Sequence, residues 1–90
     1  LRIIRHGLAV AGRYLTIVVR MPDRPGSLAR LLSDVQSLHA NVVDIEHLRE
    51  DAALGVDEVD IVVHVEARGA DHCRTLLEEL VRRGYTLRER

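Results

Sequence analysis

The chain has 90 residues, 47% hydrophobic and 30% charged, with a formal net charge of -1. This is ordinary globular composition for one domain with a single core. The balanced charge argues against a nucleic-acid or anionic-membrane partner, and no apolar run approaches the ~20 residues that span a bilayer.

A lone cysteine, Cys73, rules out an internal disulfide and a cysteine metal cluster, and fits a reducing, cytoplasmic setting. Thirteen arginines stand against no lysine, so the chain can form neither a Schiff base nor a P-loop. The first residue is Leu1 rather than Met, and the chain is expected to be part of a longer protein.

Residues 1–12 are apolar and basic, and end Gly-Leu-Ala-Val-Ala-Gly. They read as a connector, the end of a helix from an absent upstream domain, with the domain proper at 13–90. A strand follows from about Arg13 to Met21, with Leu15, Ile17 and Val19 on one face and Tyr14, Thr16, Val18 and Arg20 on the other. Pro22 and Pro25 end it. A helix is predicted over Ser27–Leu38, with Leu28, Leu31, Leu32, Val35 and Leu38 in one stripe and Ser27 as N-cap.

A second strand, Asn41–Arg49, is rich in valine and isoleucine but alternates loosely. Glu50–Gly55 reads as a hairpin loop. The third strand is the clearest: Val59, Ile61, Val63 and Val65 share a face opposite Glu58, Asp60, His64 and Glu66. The second helix spans about Ala70–Arg83 and buries Cys73, Leu76, Leu77, Leu80 and Val81, with Gly84 as its stop. Tyr85–Glu89 forms a short last strand.

The order β-α-β-β-α-β predicts an α+β, ferredoxin-like domain: a four-stranded antiparallel sheet with both helices on one face. Its other face carries Tyr14, Val18 and Val62 among charges. An uncovered face of this kind points to self-association through sheet or helix edges.

No histidine pair has metal-binding spacing, and His72 and Cys73 diverge by ~100° on a helix. No metal site is expected, and no catalytic residue. RNA-binding domains of this architecture stack bases on aromatics of the central strands; this chain has none there. Binding remains, and the turn Met21-Pro22-Asp23-Arg24-Pro25-Gly26-Ser27-Leu28 is the strongest candidate. A helix start presents unpaired amides and a positive dipole end, and Asp23 adds a carboxylate beside them. Together they suit the two charges of a free amino acid. Asn41, whose amide both donates and accepts, is expected near this loop, from its own chain or a partner's.

The segment P-D-R-P-G-S-L-A-R-L-L, followed by A-N-V-V-D-I-E-H, resembles the ACT domain family, small βαββαβ regulatory modules that bind amino acids and pair side by side. The resemblance covers about Arg13–Leu87. The preceding I-I-R-H-G-L-A-V-A-G-R-Y-L looks like the linker into the C-terminal ACT domain of threonine dehydratases (threonine ammonia-lyases). By that resemblance the effector-binding residues are Asp23, Pro25, Gly26, Ser27 and Leu28, facing Asn41 and Val42. Many amino-acid-binding members have Asn where this chain has Asp23.

The resemblance further implies an isoleucine or valine effector and a pyridoxal-phosphate catalytic domain elsewhere in the parent chain, with no cofactor in this one. The alternative is a structural pairing module that dimerises the parent and binds nothing.

Overall fold

The computed structural model describes residues 8–9, 13–49 and 56–88. Its elements are β1 (Leu8–Ala9), β2 (Tyr14–Pro22), α1 (Ser27–Ser37), β3 (Asn41–Leu48), β4 (Glu58–Glu66), α2 (Ala70–Arg82) and β5 (Thr86–Arg88). The predicted hairpin loop 50–55 and most of the predicted connector lie outside the described residues. The part of the connector that is described, Leu8–Ala9, is a strand rather than a helix end.

All pairings are antiparallel. β2 and β4 form the centre, and β3 flanks β4. β1 and β5 lie end to end along the other edge of β2: β1 pairs with Tyr14 and Leu15, and β5 with Val18, Val19 and Arg20. The long strands therefore run β5-β2-β4-β3, the predicted ferredoxin-like sheet with one short strand added.

Period-two alternation builds the core. Leu15 faces Val65, Ile17 faces Val63, Val19 faces Ile61 and Met21 faces Val59 across the central ladder. Leu31 and Val35 of α1 and Cys73, Leu76 and Leu80 of α2 pack on this one face, and all five are buried. The three α2 residues follow i, i+3, i+7, so at ~100° per residue Val81 falls roughly 100° off their stripe. It was expected to be buried and is instead 57% exposed. Truncating Leu80 to alanine should cost about 2–5 kcal/mol, whereas Val81→Ala should change stability by less than about 0.5 kcal/mol. Urea unfolding of the two variants checks the contrast.

The helix-free face differs from expectation. Val18 and Val62 are opposite each other and buried rather than set openly among charges. One register step away, Arg20 Nε and Nη2 donate to Asp60 Oδ1 and Oδ2 at 2.9 and 3.0 Å. One step the other way, Thr16 faces His64. These paired polar side chains flank the valines along the central ladder.

β3 alternates loosely because it carries a β-bulge between Val42 and Asp44. Val42 pairs with Val65 on the helix side, while Asp44 pairs with His64 on the other. The extra residue, Val43, is 58% exposed on the outer edge.

Candidate functional site

The β2–α1 connection is built by proline and glycine. Pro22 is the last ladder residue, opposite Glu58, and Asp23 N–H closes the ladder end on Asp57 O at 2.6 Å. Ser27 N–H then bonds back to Arg24 O at 3.2 Å. Pro25 and Gly26 are the central residues of that turn, and Gly26 has φ 91° and ψ -22°. This is a type II turn, which needs a positive φ at its third position.

Gly26, not Ser27, is accordingly the N-cap of α1, with no side-chain cap bond. Ser27 was expected to cap, but the turn takes its amide for Arg24 O and moves the cap back one residue. Arg30 N–H bonds to Gly26 O at 2.9 Å. The intervening first-turn amides, Leu28 and Ala29, belong to the set no helix satisfies internally. A Cβ on Gly26 would meet nothing within 4 Å, so its requirement is conformational rather than spatial.

An open cleft of about 480 Å³ lies between this turn and the α2–β5 connection. Pro25, Gly26 and Ser27 line it together with Arg24, Arg30 and Tyr85. Arg30 lies with its guanidinium carbon 5.2 Å from the Tyr85 ring centroid, a cation–π arrangement.

Behind the cleft, Asp34 of α1 accepts from the Tyr85 hydroxyl and from Arg83 Nη1 (2.8 Å), tying α1 to the α2–β5 connection. The Tyr85 hydrogen bond, then Arg83, hold the Asp34 carboxyl below the usual range. Burial, then the Asp34 contact, push Tyr85 from 10.0 up to about 12. The folded state thus keeps the phenol proton after the unfolded chain has lost it, and stability falls as pH rises from ~10 to ~12, by up to about 2 kcal/mol. At the acid end the sign reverses: Asp34's contribution is present above its unfolded pKa and is lost as pH falls through the depressed folded value. Tyr85→Phe should flatten the alkaline limb in urea-unfolding series at stepped pH.

The predicted site residues divide into two groups. Asp23, Pro25, Gly26, Ser27 and Leu28 sit together. The Leu28 side chain is half-buried and packs on the core. Asn41 and Val42 do not join them within one chain. Asn41 is level with Glu66 and Tyr14, at the far end of the sheet from Pro22 and Glu58. At ~3.3 Å per residue that is on the order of 25 Å. The expectation that Asn41 reaches the loop from its own chain is therefore corrected, because the strand directions place it at the opposite end. There it lines a second open cleft of about 540 Å³ with Arg13, His39 and Arg68.

A partner of Asp23 escaped the sequence reading. Arg49 Nε and Nη2 donate to Asp23 Oδ2 and Oδ1 at 2.9 and 3.2 Å. These hydrogen bonds hold Asp23 below the usual carboxylate range and push Arg49 up. The signal was faint: the two residues are 26 apart, and only the antiparallel β3–β4–β2 order brings the end of β3 alongside the end of β2.

The ACT domain family matches residues 15–82. The chain belongs to that family, whose members are regulatory rather than catalytic modules. It is 34% identical over 83 residues to an L-threonine ammonia-lyase of Geobacter sulfurreducens, covering 92% of this chain and 21% of that protein. It is 33% identical over 87 residues to an L-threonine ammonia-lyase of Thermotoga maritima, covering 97% of this chain and 22% of the relative. The chain thus spans about one fifth of the length of these curated relatives. No solved structure matches it. Among the described residues, no helix is long and apolar enough to cross a membrane.

Proposed function

We propose that this domain senses a free amino acid, isoleucine or valine, and regulates a pyridoxal-phosphate-dependent threonine ammonia-lyase to which it is joined. One observation carries the reading. In an ACT domain similar to threonine ammonia-lyases, the type II turn sets a carboxylate, Asp23, just ahead of the open first-turn amides of α1. The effector carboxylate would accept from those amides, where the helix dipole favours negative charge. Its ammonium would displace Arg49 from Asp23.

Asn41 and Val42 then come from a second copy. Among the described residues β3 is an outer strand, paired to β4 on one side. Two copies joined antiparallel along β3 would bring Asn41 of one beside Leu48 and Arg49 of the other, which is the Asp23 end. An effector at such a junction would favour one packing of the pair over another, and the catalytic domain would respond through residues 1–12. Coupling requires that difference in affinity between the two arrangements.

The occupied Asp23 favours a second reading: a pairing module in which Arg49 and Asp23 merely fasten the loop to β3. Calorimetric titration of the folded chain with isoleucine, valine, threonine and serine separates the two. Saturable heat with a branched aliphatic amino acid supports sensing; none at millimolar ligand, with the dimer confirmed, supports pairing alone.

A further inference from the structure

Away from the loop, three side chains converge on the helix-free face of the sheet. Asp44 and Glu46 stand on β3 and His64 on β4, and their ligand atoms lie within 4.8 Å of one another. Glu46 Oε2 is 3.1 Å from His64 Nε2. The β-bulge makes this possible: regular alternation would put Asp44 on the same side as Val42, but the extra residue turns Val42 to the core and leaves Asp44 and Glu46 beside His64. The other ring nitrogen, Nδ1, is 3.1 Å from the Thr16 hydroxyl, and Thr16 is buried in the sheet.

We propose that Asp44, Glu46 and His64 bind a divalent transition-metal cation of the Zn²⁺ class. An imidazole with two carboxylates suits zinc and its neighbours, whereas magnesium and calcium favour all-oxygen sets. Bonds of about 2.0–2.2 Å put ligand atoms roughly 3–3.5 Å apart, close to the existing Nε2–Oε2 separation. Asp44 and the half-exposed Glu46 carboxylate open the site to solvent, which supplies the remaining ligands as water.

On binding, Nε2 presents its lone pair to the cation, and Nδ1–H donates to Thr16 Oγ1. Thr16 is thus a positioning residue that fixes ring orientation and tautomer. The histidine and cysteine spacing along the chain concealed this set, because Asp44 and Glu46 lie on a different strand from His64, 20 and 18 residues before it, and meet it only through the register.

The test is calorimetric titration of the metal-stripped, folded chain with Zn²⁺, with Co²⁺ absorption as the second readout. The expected result is one equivalent bound and cobalt d–d bands. Asp44→Asn and Glu46→Gln, both on the solvent side of the sheet, should each weaken binding by at least about 10-fold. Thr16→Val should weaken it and Thr16→Ser restore it, which a purely structural role would not do. Absence of Zn²⁺ binding by the folded chain would overturn the proposal. So would undiminished affinity in the Asp44→Asn/Glu46→Gln double variant, since the metal would then sit on other histidines.

Discussion

Replacing Asp60 with alanine lowers the unfolding free energy by about 3–5 kcal/mol. The Arg20 and Asp60 side chains are only 10% and 8% exposed, and two hydrogen bonds join them. Truncating the acid removes two charge-assisted hydrogen bonds from a nearly buried guanidinium on the face that carries Val18 and Val62. In a domain whose whole stability is about 5–15 kcal/mol, such a loss moves the urea midpoint far down. Replacing both members with leucine should recover most of it, because a buried pair earns little over well-packed apolar groups. A shift below about 1 kcal/mol in Asp60→Ala would mean the pair is effectively solvated.

The second large effect concerns binding. Asp23→Ala is expected to weaken isoleucine by roughly 10–100-fold, the range for a lost hydrogen bond to a charged group. Asp23 is exposed, so the fold should be unaffected. Arg49→Ala should act in the opposite sense, freeing Asp23 and tightening the effector modestly. The opposed signs separate an ammonium contact from a loop fastener: if Arg49 only fastens the loop, both substitutions loosen it and neither tightens binding. Isothermal titration of the three proteins at one pH reads the difference.

Most of the fold was legible because its strands and helices announce their own periods. Glu58–Glu66 alternates almost without fault, and the helix stripes place α1 and α2 to within a residue of their ends. What escaped was set between elements. The N-cap moved from Ser27 to Gly26 because Pro25-Gly26 favoured a type II turn over side-chain capping. The loose pattern of β3 hid a bulge at Val43, which reverses Val42 against Asp44. Val18 and Val62 are buried on a face where Arg20 meets Asp60 across the ladder, a contact between residues 40 apart in sequence. The loop of the candidate site was visible from its prolines, glycine and aspartate, but Arg49 was not. Placing Asn41 needed the strand directions as well as the order of elements.

An amino acid effector at the β2–α1 turn would lie against backbone amides that can be observed one by one. Titrating isoleucine into the isotopically labelled chain and following backbone amide shifts by NMR tests that binding most directly. The expected shifts are saturable and concentrated at Asp23, Gly26, Ser27, Leu28 and Ala29, with a second set at Asn41 and Val42 once two copies pair. Shifts that saturate elsewhere while these residues stay still, or no shifts in a folded, paired chain, would contradict binding at the turn.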